Sequence, residues 1–535
     1  MTKNEYVIAC DIGTTGVKTC LFSLEETLVL KAESLKSYDL IIGKNGEAEQ
    51  NPDQWWGAMC ESTREILAHT GITPSEVKGI SFCSQMQGIV LVDKNGAHLR
   101  PAMSYMDQRA AVQKHNCIEH GIQIAGVNIF KLLPWLYIAG AVGASVKDPI
   151  WKYHWVRDNE PDIFSRVHKW LDVKEYLIAR ATGNFIMTRD SAFATFMYDS
   201  RPGKFKWSRK LCRMLNVDVN HLPEVIESAD CAGELRDTQA LELGLTPGIK
   251  IFGGGGDASL IGVGAGAVEN GDTHIYIGTS GWVSTVTDKR KVDINYMIAS
   301  VIGAQRGLYN YFAEQETSGK CLEWVKNHLA LDEIGIYLEK KNVTDDPESI
   351  YRTLYDYLSH TMSETPAGST GVIFTPWLHG NRCPFEDPLA RGMFFNLSLS
   401  TGKRSMIRSV VEGICFHKRW MLEAQDTKVK TSNKIRFAGG GALSKVTCQI
   451  LADITGRTIE TVENPQNAGA MGAALVCAVG LGRISSFSEA KKYIKVTATY
   501  TPDEKNRAVY DKNFKVFKKL YTSNRKLFKI LNREP

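Results

Sequence analysis

Asp11-Ile12-Gly13-Thr14-Thr15-Gly16 and Tyr276-Ile277-Gly278-Thr279-Ser280-Gly281 carry one pattern, Ile-Gly-Thr-(Thr/Ser)-Gly, about 265 positions apart. That is about half of the 535-residue chain, so the repeat reads as a duplicated domain. β-rich runs flank both copies: Tyr6 to Cys10 and Val17 to Phe22 around the first, Trp282 to Val286 after the second. Such runs joined by a glycine-bearing turn predict a hairpin. The division between the halves is expected near Asp257 to Asp272, giving domains of residues 1–258 and 259–535.

Further strand-like segments (Gly79 to Cys83, Ile89 to Val92) precede helical stretches such as Asp172 to Ala181. Helical patterns also follow the second hairpin, at Ser318 to Leu329 and Ser349 to Met362. Strands alternating with helices place the chain in the α/β class. No low-complexity linker separates the halves, which are therefore expected to pack face to face around a cleft.

Composition excludes several classes. The 43% hydrophobic and 23% charged shares are those of an ordinary globular protein. The net charge of +5 is concentrated beyond Pro502, which leaves a near-neutral body and no basic stripe for nucleic acid. The twelve cysteines show no C-x-x-C or zinc spacing. Cys10, Cys20 and Cys83 lie in apolar runs, as small hydrophobes do, and a reduced, cytoplasmic chain is expected. Met1 to Glu5 is polar and unlike a signal peptide. The uncharged run Leu132 to Val146 is too short to span a membrane and is expected to be a buried core helix. From Asp503 onward, Tyr510, Phe514, Phe517, Tyr521, Phe528 and Leu531 recur near helical spacing, predicting a helix packed on the second half. Trp55 and Trp56 read as core.

Four glycine-rich turns follow predicted strands: Gly13 to Gly16, Gly253 to Gly256, Gly278 to Gly281 and Gly439 to Gly441. Glycine lets the backbone approach a phosphate and turn its N–H groups toward it. The last turn lies between a predicted strand, Ile435 to Ala438, and a predicted helix from Ser444 to Thr455, whose N-terminus favours anions. A tight turn explains any one of them; the four together point to a nucleotide. Neither G-x-x-x-x-G-K-(S/T) nor a strand-borne G-x-G-x-x-G with its acidic partner occurs, which disfavours P-loop and Rossmann enzymes.

Phosphoryl transfer to an alcohol needs a proton acceptor and a metal to neutralise charge. Asp257, at the end of the Ile251 to Gly256 run, can project a carboxylate into a cleft as that acceptor. It also reads as the N-cap of the next helix, and the two roles are compatible. Asp11 suits Mg²⁺, which takes one or two carboxylates and keeps water; an Asx-turn is an equal reading.

Taken in order, these motifs resemble the FGGY carbohydrate kinases over nearly the whole chain, and the xylulokinases among them. Asp11 to Lys18 looks like the first phosphate loop, and Gly278 to Gly281 the second. Ser84-Gln85-Met86-Gln87-Gly88 with Asp107-Gln108-Arg109 is similar to the sugar-recognition segments. Gly253 to Asp257 resembles the catalytic loop, and Ala438 to Ala442 with Leu451 to Asp453 the adenosine-side loop. Pro376 to Leu397, with Gly380-Asn381-Arg382 and Asp387 to Gly392, resembles a xylulokinase stretch. The resemblance implies two actin-like (ribonuclease H-like) ATPase domains, from an internal duplication, around a central cleft. It implies ATP and Mg²⁺ as cofactors, Asp257 as the base and Asp11 near the metal. Met86, Gln87 and Asp107 would meet the ketose. Thr14, Thr15, Lys18, Thr279, Gly440, Gly441 and Ser444 would line the nucleotide. The implied reaction phosphorylates a terminal hydroxyl of a pentulose, D-xylulose first.

Three segments depart from the family pattern. Gln87 stands where xylulokinases usually carry histidine. The stretch from Ile129 to Trp155 matches poorly apart from a Lys-x-x-Trp at Lys152 to Trp155. Gly380-Asn381-Arg382-Cys383 departs from G-E-R-(S/T). These leave another ketose, a polyol or a sugar acid (ribulose, erythritol, gluconate) as alternatives within the kinases. An actin-like sugar sensor is the non-enzyme alternative; retention of Asp257 and Asp11 argues against it. No nucleic-acid or membrane partner is expected, and monomer and homodimer both remain open.

Overall fold

The computed structural model describes residues 5–25, 27–124, 126–330 and 354–532. The first hairpin pairs β1 (Tyr6–Ile12) with β2 (Gly16–Leu24), placing Asp11 opposite Lys18. The meander continues into β3 (Leu28–Ser37), while β4 (Val77–Ser84) runs parallel to β1 on its other side. Beyond β4 come β5 (Cys231–Glu234) and β6 (Lys250–Phe252), in the order β5-β6-β4-β1-β2-β3; β7 (Gly255–Gly256) pairs with the end of β4. Tyr6 to Cys10 is buried on both faces of β1, as the uninterrupted apolar run requires of a central strand.

The second sheet holds β8 (Thr273–Ile277), β9 (Gly281–Thr287), β10 (Val292–Asp293), β11 (Ile298–Ile302) and β12 (Tyr309–Gln315). It is completed by β13 (Lys434–Ala438), β14 (Thr458–Val462) and β15 (Val496–Tyr500). Its order is β10-β11-β12-β9-β8-β13-β14-β15. The inner five, β12-β9-β8-β13-β14, repeat the arrangement β3-β2-β1-β4-β6: antiparallel strands whose first member pairs in parallel with one later strand, which pairs in parallel with the next. The duplicated motif thus marks a duplicated sheet.

The first sheet is covered on one face by α1 (Pro52–Thr70), which is N-capped by Asn51 and buries Trp55 and Trp56. Three helices of this half matter for the site: α2 (Ile129–Ala139), α3 (Pro149–Asn159) and α4 (Val173–Thr182). α5 (Arg189–Ala194) and α6 (Asp257–Gly264) follow. In the second half, α7 (Lys403–Asp426) and α8 (Lys445–Thr455) pack together. α9 (Ala468–Gly480) instead lies against β1, β4 and α6 of the first half, where Ala470, Ala473, Ala474 and Cys477 join Val7, Ala9, Cys83 and Leu260 in one core. The halves therefore interlock through α9 rather than only facing one another. α10 (Glu504–Asn532) docks on the second half through Tyr510, Phe514, Phe517, Phe528 and the partly buried Tyr521, as their spacing predicts, whereas Leu531 of the same expected stripe is exposed.

The Leu132 to Val146 run differs from the buried helix expected of it. α2 stops at Gly140 (φ 78°), and Phe130, Leu133 and Tyr137 are 75%, 59% and 65% exposed. The glycines at 140 and 143 release the chain into a loop that reaches the cleft, so uniform hydrophobicity concealed two structures. The helix predicted from Ser318 is Gly319–Val325 with a π-turn at Lys326–Ala330. Of the pattern from Ser349 to Met362, positions 349–353 lie outside the described residues and the rest belongs to helix Leu354–Ser363. Among the described residues no helix is long and apolar enough to cross a membrane.

Candidate active site

A cavity of about 520 Å³ opens between the two hairpin turns. Asp11, Thr14, Lys18, Met86, Gln87, Asp257 and Thr279 all line it. Seven residues singled out from sequence, from four separate segments, thus converge on one space.

The glycine run before Asp257 has a steric reason. Gly254 is held at φ 69°, and a Cβ there would lie 3.0 Å from the Phe82 nitrogen; no L side chain fits. The chain can therefore pass close beside β4 and begin α6 at the cavity mouth. The N-cap of α6 is Gly256, not Asp257, which is the first helical residue. One carboxylate oxygen of Asp257 accepts from the Ala258 N–H at 2.8 Å. Behind it, Asp190 Oδ2 accepts from the Gly256 N–H at 2.7 Å. Asp190 is fixed in turn by Thr188 and Ser191, to which buried Lys174 donates at 2.6 and 2.7 Å.

Burial pushes the Asp257 carboxyl up to about 7, the Ala258 N–H opposing and the charges of Asp11, Glu314 and Asp172 assisting. A carboxylate tuned to neutrality inside a cleft is the usual signature of a general base. Burial likewise lifts Asp11 to about 6 against Lys18 and a Cys83 hydrogen bond. Only glycine fits beside it at the start of α9: a Cβ on Gly469 would lie 2.5 Å from Asp11 Oδ2.

Mg²⁺ binds through one or two carboxylates and keeps water and phosphate oxygens in its shell. Asp11, cavity-lining and only weakly compensated, fits as such a carboxylate. Among the described residues no group of three or more His, Cys, Asp or Glu could cage an ion, so an ion at Asp11 would complete its shell from phosphate and water.

Both glycine-bearing hairpin loops are braced by hydrogen bonds to their carbonyls. Gly13 N–H donates to Gly16 O at 2.9 Å, Gln50 Nε2 to Thr14 O at 2.6 Å, and the Tyr38 hydroxyl to Gly13 O. In the second loop, Gly319 N–H donates to Gly278 O at 2.7 Å and Lys320 N–H to Thr279 O at 3.2 Å. Thr14 and Thr279 line the cavity, and the Thr14 hydroxyl shares a 3.2 Å bond with Tyr105. Lys18 Nζ donates to Asn467 Oδ1 at 2.8 Å and Gln466 O at 3.3 Å, tying the first hairpin to the turn before α9.

Five residues stand elsewhere. Asp107 is fully buried off the cavity, its carboxylate occupied by the Ala48 N–H at 2.8 Å and by Arg109 at 2.7 to 3.1 Å. The neighbouring arginine holds it, and Asp107 is not among the residues that line the cavity. Arg109 itself pairs with Glu49 and lies over the Trp155 ring. Thr15 is exposed beside the first loop, outside the cavity wall. Gly440 and Gly441 form the short turn Gly440–Leu443 before α8, and Ser444 caps α8 by accepting from the Thr447 N–H at 3.3 Å. The turn is open at Gly440, where a Cβ would meet nothing within 4 Å, and packed at Gly441, where a Cβ would lie 2.7 Å from Ile277.

Residues not assigned from sequence complete the wall. Glu314, on β12, holds Arg382 at 2.7 Å. Asp148, before α3, lies 3.9 Å from the same guanidinium and is raised by burial to about 6. Arg382 had entered only as a letter of the Gly380-Asn381-Arg382 motif, and Asp148 lay in the poorly matching stretch.

The family models agree with this geometry. Residues 6–264 match the N-terminal domain of the FGGY family of carbohydrate kinases, and residues 274–481 its C-terminal domain. A xylulose kinase from Bacillus subtilis is 28% identical, over 98% of each chain. A gluconokinase from the same organism is 26% identical, over 94% of this chain and 93% of its own. A ligand-bound xylulose kinase from Lactobacillus acidophilus superposes with a TM-score of 0.82 at 25% identity, over 97% of this chain and 98% of the other. With the same two-domain actin-like fold and both domain models matched, the chain belongs to the FGGY family of carbohydrate kinases, phosphotransferases whose acceptor is a sugar hydroxyl.

Proposed function

We propose that this kinase transfers the γ-phosphoryl group of MgATP to the terminal hydroxyl of a pentulose, D-xylulose first, giving D-xylulose 5-phosphate in the cytoplasm. Residues 1–258 would supply the sugar side and the base, and 259–535 most of the nucleotide side. Asp257 carries the reading: a carboxyl raised to about 7 lines the same cavity as Met86, Gln87, Thr14 and Thr279.

In this mechanism Asp257 takes the proton of the sugar hydroxyl as that oxygen attacks the γ-phosphorus. The new O–P bond forms as the bond to the β-phosphate oxygen breaks, ADP leaves, and the proton passes from Asp257 to water. The Thr14 and Thr279 hydroxyls and the N–H groups of the two loops hold phosphate oxygens in place. Mg²⁺, arriving with ATP and held at Asp11 through water, would neutralise phosphate charge.

The sign of the wall supports a neutral sugar. Five carboxylates line the cavity (Asp11, Asp148, Asp257, Glu314 and Glu386) against two cations, Lys18 and Arg382. Both cations are already engaged, by Asn467 and by Glu314. Such a wall disfavours a sugar acid. The gluconokinase relative keeps gluconate as the second reading. The test is kcat/KM over D-xylulose, L-xylulose, D-ribulose, L-ribulose, erythritol and gluconate. D-Xylulose is expected to lead. A preference above about tenfold (~1.4 kcal/mol) for any other compound would remove the xylulose assignment and leave the kinase standing.

Both hairpin turns line the one cavity, so closing the cleft would expel water and suppress wasteful hydrolysis. Small-angle scattering should show compaction with sugar and a non-hydrolysable ATP analogue both bound. An unchanged radius of gyration at saturation would count against closure.

A further inference from the structure

Gln87 lines the cavity in a left-handed conformation, φ 64°, that non-glycine residues rarely adopt. Its peptide is gripped from both sides. The Gln87 N–H donates to Asp172 Oδ2 at 2.9 Å and the Gly88 N–H to Oδ1 at 3.0 Å. The Gln87 carbonyl accepts from Lys152 Nζ at 2.9 Å, and that ammonium also donates to Ser104 O at 2.6 Å. Asp172 is anchored as the N-cap of α4, accepting from the Val173 N–H at 2.8 Å. Lys152 projects from α3 and is 0% exposed; Asp172 is 5% exposed.

The partners are unusual for buried charges. Lys152 is bonded to two main-chain carbonyls, and among the described residues it forms no ion pair within 4 Å. Burial lowers the Lys152 amine to about 7, against the charges of Asp107, Asp148 and Asp172, so the group is costly to bury in charged form and is not explained by stabilisation alone. What it does is fix the far side of one peptide whose near side Asp172 fixes. The Gln87 carboxamide, by contrast, makes no bond to protein among the described residues, leaving two donors and an acceptor free in the cavity.

We propose that Lys152 and Asp172 are positioning residues for sugar recognition: they clamp the Gln87 peptide in its left-handed turn, aim its carboxamide at one sugar hydroxyl, and so set which ketose epimer is accepted without touching the sugar. This rests on the reading of the cavity as a ketose site. A site built to hydrogen-bond one hydroxyl rejects the molecule that misplaces it, and that rejection depends on how tightly the donor is held.

The experiment has two arms, on the full chain. The first measures hydrogen exchange in the peptide covering residues 84–90, without ligand, in wild type, Lys152→Met and Asp172→Asn. Exchange should rise about tenfold or more in either variant, while residues 253–257 stay unchanged; unchanged exchange at 84–90 would remove the clamp. The second measures kcat/KM on D-xylulose, L-xylulose, D-ribulose and L-ribulose for wild type, Lys152→Met, Gln87→Gly and the double variant. Lys152→Met should shrink the best-to-worst ratio by about tenfold or more through KM for sugar, with KM for MgATP within about twofold. In the Gln87→Gly background the same change should alter that ratio by less than about twofold. An equal loss in both backgrounds, or an unchanged ratio, overturns the proposal. Asp172→Asn serves identically where Lys152→Met does not fold. A wild-type protein inactive on all four ketoses removes the ketose reading and the specificity claim with it, whereas the exchange arm judges the clamp alone.

Discussion

Asp257→Asn should lower kcat on the preferred sugar by about 10²–10⁴-fold while leaving KM for MgATP nearly unchanged. The carboxamide keeps the shape and can still accept from the Ala258 N–H, so the fold of the α6 start is preserved and only the proton acceptor is lost. Wild-type kcat/KM should fall about tenfold per pH unit below the pKa of the base, about 7 in the empty protein. The variant should lose that acid limb. A variant that kept wild-type turnover, or kept the limb, would place the base elsewhere.

The same substitution makes a stability prediction of opposite sign. The folded carboxyl titrates at about 7 against an ordinary 3.8, so between those values the folded state binds more protons than the unfolded one. Stability from this group is therefore greatest below the lower value, falls as pH rises, and is lowest above about 7. Asp257→Asn should be more stable than wild type at pH 8, by at most ~4 kcal/mol and less because one face of the carboxyl meets water in the cavity. The difference should vanish near pH 4. Urea melts at both pH values check it, and equal stability at pH 8 would deny the strained burial on which the base depends.

The parts legible in the sequence were those whose geometry is local. Ile-Gly-Thr-x-Gly is a turn and its two strands in one stretch, so its repetition announced the repeated sheet. The glycines before Asp257 mark a backbone pressed against β4, a constraint that shows wherever no side chain fits. Partners recruited by tertiary packing left no such trace. Glu314 and Arg382 meet across two elements, and Asp190 reaches Gly256 from a different helix. The sequence of α9, Ala468 to Gly480, is uniformly apolar, yet nothing in it says that it lies on the first sheet. The place of Asp107 off the cavity has a local reason: Arg109, two residues on, folds back onto its carboxylate. Lys152 was visible as a motif letter, yet its work on the Gln87 carbonyl depends on α3 packing over a turn far away in the chain.

Asp11→Asn should lower kcat by about 10²–10³-fold, a few kcal/mol of lost charge stabilisation, and should raise the Mg²⁺ concentration needed for half-maximal rate. An amide keeps an oxygen but not the charge that a hard dication prefers. Two effects distinguish this from a second base. Asp11 is a like charge that helps hold Asp257 above its ordinary range. Removing it should move the acid limb of kcat/KM to lower pH, the direction expected when a neighbouring carboxylate is neutralised. The base would then be deprotonated over a wider range while the rate falls, so the loss cannot come from proton acceptance. Kinetics at several Mg²⁺ concentrations and pH values measure both. If kcat and the Mg²⁺ dependence stay at wild-type values, Asp11 is a hairpin residue and the ion must be held by other groups. If the limb stays in place while the rate falls, the two carboxyls do not sense each other, and the cavity would have to be more open to water than the folded chain makes it.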